Sequence, residues 1–181
     1  SGEQIPFSQQ RKISCVETED ILSKETVYEL AQQAVGKRIL AVAGFMLPDD
    51  HLNKAMLRLA SLPDVYVMHE TVSNLHLPRR HSAVDVILSH LTPRQRENLR
   101  PDIIITVGGA LISRAVKEFL RTSDGVQHLA VGHSHTTVDC FNSLSLRIEA
   151  EPAPFLSAFA KLLAKNSGDT GYAAAWAACK K

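Results

Sequence analysis

A chain of 181 residues, 45% hydrophobic and 22% charged, holds enough apolar material for a core and suits one domain with appended segments. Its net charge of +1 excludes the broad positive field of a nucleic-acid binder or of a protein drawn to anionic membrane, while leaving room for a specific anion site built from one or two cations. No apolar run reaches membrane-span length and no signal-peptide pattern opens the chain; Cys15, Cys140 and Cys179 are too far apart for a zinc ribbon and read as reduced thiols of a cytoplasmic protein.

The first 36 residues look unlike the rest. Pro6 makes Ile5-Pro6-Phe7-Ser8 extended, and the polar stretch to Ser23 has no clean period. Glu25 to Ala34 fits a short helix with Val27, Leu30, Ala31 and Ala34 on one face, stopped by Gly36. Residues 1–36 therefore read as a linker that enters from a preceding domain.

Strand and helix patterns then alternate. Ile39 to Ala43 is a continuous apolar run closed by Gly44, the mark of a strand buried on both faces. Pro48-Asp49-Asp50 opens a helix with acids in its first turn, and Leu52, Ala55, Met56, Leu59 and Ala60 repeat at helical spacing. Val65 to Met68 is a second strand. Asn74 to Arg80 is a loop, and Ala83 to Leu91 and Pro93 to Leu99 are short helices. Asp102 to Val107 is the clearest strand. Gly108-Gly109 turns the chain into a helix over Ile112 to Leu120. Val126 to Val131 and Leu144 to Ile148 are further strands, and Pro152 to Ala164 is a closing helix.

Such alternation predicts an α/β fold: an open, doubly wound parallel sheet of five to six strands with helices on both faces, over residues 37–165. Residues 166–181, opening with Ser167-Gly168-Asp169, read as a second linker toward a following domain.

The turn after the first of these strands, Gly44-Phe45-Met46-Leu47-Pro48, lacks the GxGxxG of a dinucleotide site, and no GxxxxGK[ST] loop exists. The informative segment is Val107 to Arg114. Its glycines follow a strand end, where open α/β sheets bind ligands. Ser113 and Arg114 then open a helix, where backbone N–H groups and a guanidinium can converge on an anion, a carboxylate above all. The plainer reading of Arg114 is a surface side chain on an ordinary helix.

Other clusters point less clearly. His133-Ser134-His135, with Asp139, Cys140 and His128 nearby, invites a metal, but nothing fixes a third ligand; the role of His133 and His135 stays open, with a polar loop as the default. His69 and Glu70 are adjacent, and neighbours in a strand face opposite ways, which argues against an acid–base pair. Arg79-Arg80-His81 reads as a solvated basic loop. Gly168-Asp169-Thr170 departs from the Gly-Asp-Gly that starts a magnesium and diphosphate motif.

The run Asp102-Ile103-Ile104-Ile105-Thr106-Val107-Gly108-Gly109-Ala110-Leu111-Ile112-Ser113-Arg114-Ala115-Val116 resembles the central domain of the 2-succinyl-5-enolpyruvyl-6-hydroxy-3-cyclohexene-1-carboxylate synthases, in their Bacteroidetes-type form. Leu40 to Gly44, Glu70-Thr71-Val72-Ser73 and Ile5 to Ser8 match in order and spacing. The resemblance spans nearly the whole chain. It implies a Rossmann-like central domain of a thiamine-diphosphate enzyme of menaquinone biosynthesis, flanked on the same chain by two domains that hold thiamine diphosphate and Mg2+. It implies a transferase that decarboxylates 2-oxoglutarate and adds the product to isochorismate, cytoplasmic and homo-oligomeric when full length. The segment itself is then expected to bind no cofactor or metal and to be inactive alone, with no catalytic residue of its own. Its contribution is a substrate contact through Arg114, with Ser113 beside it. Three positions depart from the family pattern. Ser113, uncharged, stands where some members have a second cation; Glu70 stands for the usual Asp; and Asp139-Cys140 stands for the usual Asp-Pro. The competing reading is a stand-alone nucleotide- or small-molecule-binding regulatory module on the same sheet.

Overall fold

The computed structural model describes residues 14–17, 23–78, 84–123, 125–133, 139, 141–166 and 168–179. In chain order these form β1 (Ser14–Glu17), α1 (Lys24–Ala34), β2 (Ile39–Ala43), α2 (Asp50–Ala60), β3 (Val65–His69), a single 3-10 turn (Thr71–Ser73), α3 (Val84–His90), α4 (Pro93–Asn98), β4 (Ile103–Val107), α5 (Arg114–Arg121), β5 (Gln127–Val131), β6 (Leu144–Glu149), α6 (Pro152–Asn166) and α7 (Tyr172–Ala178). The six strands form one sheet in the order β1-β6-β5-β4-β2-β3, and every pairing is parallel.

The apolar runs explain this architecture. A parallel strand is covered on both sides, so consecutive residues feed opposite cores. Ile39, Ala41 and Ala43 join Val65, Val67, Ile103 and Ile105 beneath α1, α2 and α6. Leu40 and Val42 join Tyr66, Met68 and Ile104 on the other face, beneath α3, α5 and α7. The expected doubly wound α/β sheet is the observed one.

The packed unit is wider than residues 37–165. The expected helix in the entry segment is present as α1, and its Val27, Leu30, Ala31 and Ala34 are core residues. β1 pairs with β6 as the sixth strand, at the sheet edge. At the other end, α7 seats Tyr172 and Trp176 in the second core. Trp176 stacks on Tyr66 with ring centroids 4.6 Å apart, and the Tyr172 hydroxyl donates to the Leu99 carbonyl at 2.9 Å. Gly168-Asp169-Thr170 is the turn into α7, anchored where the Thr170 N–H donates to Asp64 at 2.6 Å. The described parts of both linkers, 14–17, 23–36, 166 and 168–179, are thus parts of the domain. Apolar residues at helical spacing need a partner face, and the sheet supplies it.

The strand order places the reversal of the winding between β2 and β4. The chain leaves β2 for α2 on one face and leaves β4 for α5 on the other. Open α/β sheets bind ligands in the crevice at such a point. Here two loops close it. The Gly44 N–H donates to the Val107 carbonyl at 3.0 Å, the Phe45 N–H to the Ala110 carbonyl at 3.2 Å, and the Gly109 N–H to the Phe45 carbonyl at 2.7 Å. Gly44 is required by this approach, since a Cβ there would lie 2.1 Å from the Gly109 carbonyl oxygen. Gly108 sits at φ +76° under Met46 and Phe45, a backbone state that favours glycine.

Candidate functional site

The carboxyl ends of β2, β3 and β4 meet the start of α5 at one edge of the sheet. A shallow cleft opens there, lined by residues that include Val42, Met68, His69, Glu70, Asp85 and Leu111.

Glu70, one residue beyond β3, is bound to the start of α5. The Ile112 N–H donates to both its carboxylate oxygens, at 3.0 and 2.9 Å, and the Ser113 N–H donates to one of them at 2.6 Å. These are free donors at a helix start, where a negative charge is favoured. A carboxylate of the protein itself, that of Glu70, therefore takes the donors at this helix start. The same bonds explain why α5 begins at Arg114 rather than at Ile112.

Ser113 is the N-cap of α5. Its hydroxyl oxygen accepts from the Val116 N–H at 3.0 Å, and its hydroxyl donates to Asp85 of α3. Arg114 stands clear of the cleft wall. Its side chain is 90% exposed, and Nε donates to Glu118 Oε1 at 2.7 Å, one helical turn on. A surface pair of this kind is weak and screened, so a stronger anionic ligand can displace Glu118. The structure brings Ser113, Arg114 and Glu70 together. It shows Glu118 and Asp85 as their partners, which sequence reading did not single out. Glu118 was within reach of the i,i+4 rule. Asp85 was not, because it belongs to a different helix.

His69 and Glu70 do not form a pair. Both ring nitrogens of His69 are buried without a hydrogen-bond partner. Burial pushes the imidazole below its ordinary value, helped by the nearby charge of His76.

Among the described residues no group of three His, Cys, Asp or Glu side chains is placed to hold a metal ion. His133 pairs with Glu151 at 3.0 Å. Asp139 accepts from the backbone N–H groups of Phe141, Ser143 and Leu144. His128 is buried between Thr106 Oγ1, 2.8 Å from its Nε2, and Ser143 Oγ, 3.2 Å from its Nδ1. Ser134, His135, Cys140, Arg79, Arg80, His81 and Ile5 to Ser8 lie outside the described residues, as does the side chain of Cys15. Among the described residues no helix is long and apolar enough to cross a membrane.

No protein-family profile matches the chain. Curated proteins do. The 2-succinyl-5-enolpyruvyl-6-hydroxy-3-cyclohexene-1-carboxylate synthase of Cytophaga hutchinsonii is 36% identical over 123 residues, covering 67% of this chain and 21% of that protein. The synthase of Flavobacterium johnsoniae is 32% identical over 131 residues, covering 72% and 23%. The chain is homologous to a part of this synthase. The Porphyromonas gingivalis synthase agrees, 27% identical over 150 residues and covering 80% of this chain and 26% of that protein. The chain thus spans about a fifth to a quarter of the length of the synthases it matches. Among solved structures, an enzyme of Mycobacterium smegmatis assigned as thiamin diphosphate-dependent matches with a TM-score of 0.43 and 13% identity, covering 76% of this chain and 27% of that one.

Proposed function

We propose that this chain is a cofactor-free α/β segment of a 2-succinyl-5-enolpyruvyl-6-hydroxy-3-cyclohexene-1-carboxylate synthase of menaquinone biosynthesis, and that it lends Arg114 to an anionic substrate. The observation that carries the reading is the 36% identity over 123 residues to the Cytophaga hutchinsonii synthase. In this reading the complete enzyme is a cytoplasmic, self-associating transferase. It uses thiamine diphosphate and Mg2+, decarboxylates 2-oxoglutarate and adds the product to isochorismate. The flanking domains of the same polypeptide hold the cofactor.

The described residues do not fit thiamine diphosphate. A diphosphate needs free backbone N–H groups in a glycine-lined turn. At the turn after β4, the Gly109 N–H is taken by Phe45, and those of Ile112 and Ser113 are taken by Glu70. A magnesium site needs clustered oxygen ligands, and the nearest carboxylates, Glu70 and Asp85, are committed to Ile112 and Ser113. No step of the chemistry is therefore assigned to this segment. The same closed crevice weighs against a stand-alone nucleotide-binding module.

What these residues offer is an electrostatic contact. Both proposed substrates carry carboxylates, and a guanidinium suits a carboxylate through two parallel N–H bonds. Arg114 is fixed at the helix start through its Ser113 neighbour, and its guanidinium is open to exchange partners. The test is turnover of 2-oxoglutarate and isochorismate by the full-length protein with thiamine diphosphate and Mg2+, comparing wild type with Arg114→Ala. The variant is expected to raise the KM of one substrate about tenfold or more, as loss of a charged hydrogen bond does. Absence of turnover by the wild-type protein would sink the synthase reading. Unchanged KM for both substrates would retire Arg114 alone.

A further inference from the structure

We infer that Glu70 is a positioning residue: its carboxylate stands in for an external anion at the start of α5 and so sets where Arg114 is presented. This rests on the anion-contact reading of Arg114 given above. Three loops meet at this residue. The carboxylate crosses from the end of β3 to the Ile112 and Ser113 N–H groups that follow β4. Its backbone carbonyl accepts from the Ser73 hydroxyl at 2.7 Å, which folds the 3-10 turn back on it. At the other end of that turn Asn74 adopts φ +52° and its side-chain amide donates to the Met46 carbonyl at 2.7 Å. The Met46 N–H in turn donates to the Val72 carbonyl at 3.2 Å. The short segment from Glu70 to Asn74 thereby ties the loops after β2 and β4 to the end of β3.

The chemistry follows from charge and from donors. A helix start carries partial positive charge, and a cation placed there is opposed by it. Glu70 supplies compensating negative charge to the two N–H groups just ahead of Arg114. It also takes the donors that a substrate carboxylate would otherwise use. An incoming anion then meets the guanidinium rather than the backbone, and the direction of approach is set by a side chain. Asp85 holds the neighbouring Ser113 hydroxyl from α3, so the helix start is gripped from two sides.

The test removes the carboxylate and then returns one. In the full-length protein, Glu70→Ala and the milder Glu70→Gln are compared with wild type by hydrogen–deuterium exchange over the segment 108–114 and by steady-state kinetics. Loss of the Glu70 bonds is expected to speed exchange in that segment about tenfold or more, each tenfold corresponding to one decade of local opening. The KM of the anionic substrate should rise while kcat moves little. Added formate should slow the exchange of Glu70→Ala again and lower its KM, and it should leave wild type unmoved. Unchanged exchange in both variants overturns the inference, as does altered exchange with unaltered KM in an active protein. If wild type turns over neither substrate, the synthase reading has failed on its own; the exchange and formate arms still decide whether Glu70 sets the helix start. Should Glu70→Ala fail to fold, Glu70→Gln carries the same comparison of exchange and KM.

Discussion

Trp176→Ala asks whether α7 belongs to the domain. Trp176 is fully buried. It lies flat on Tyr66 at 4.6 Å and meets Phe119 edge-on at 5.6 Å and Tyr172 edge-on at 6.3 Å. An aromatic side chain buries about 150 to 250 Å². At about 25 cal/mol per Å² this gives roughly 4 to 6 kcal/mol, an upper bound because the unfolded chain already hides some surface. Core Trp→Ala changes cost about 3 to 5 kcal/mol, so about 4 is the working figure. With a urea slope of about 2 kcal/mol/M, the midpoint should fall by about 2 M, read by far-ultraviolet circular dichroism. Trp176 is also the sole tryptophan. Wild-type fluorescence should therefore start blue-shifted and redden at the same urea concentration as the helical signal. A loss under about 1 kcal/mol, the range of surface substitutions, would refute the packing argument and restore residues 166–181 as a linker.

Two further outcomes follow from other parts of the molecule. Gly44→Ala places a methyl 2.1 Å from the Gly109 carbonyl oxygen; because the obstacle is backbone, the loops after β2 and β4 must part, at about 1 to 3 kcal/mol in a denaturation midpoint. A cost under about 0.5 kcal/mol, the range of surface substitutions, would refute the steric argument. For pH, burial holds the His69 imidazole below its ordinary value of 6.5. As pH falls the unfolded chain takes up this proton first. The His69 contribution is therefore present above about 6.5 and is lost as pH falls below it, so His69→Gln should flatten the decline in stability below about pH 6.5. Parallel declines in both proteins would refute the assignment.

The fold was legible because a parallel sheet writes itself plainly. Runs such as Ile39 to Ala43 and Ile103 to Val107 are apolar at every step or nearly so, and the helices between them repeat at helical spacing. The ends were harder to read. Ser14–Glu17 is only four residues long and mixes polar with apolar side chains. Its strand identity comes from pairing with β6, a partner far away in sequence. The tail was misread because Gly168 and Asp169 suggest a linker. Yet that turn is what lets Tyr172 reach Leu99 and lets Trp176 reach Tyr66, the latter across more than half the chain.

The site was legible in part for the same reason. Gly108-Gly109 and the helix start at Ser113-Arg114 are local signals, and local signals survive in one sequence. What fills an anion-friendly helix start is a tertiary question. From sequence, Glu70 is one carboxylate after a strand, and the strand's alternation says only that it points away from His69. The sheet order brings the end of β3 to the chain beyond β4, although β2 lies between them. Only then does Glu70 meet Ile112 and Ser113. The pattern that suggests an anion reports the field at that helix start. The field cannot say whether the charge arrives with a ligand or is already part of the chain, and here the nearest carboxylate is the protein's own. An external anion arriving at this place would meet a single exposed guanidinium, which is why Arg114 and Glu70 must be tested separately.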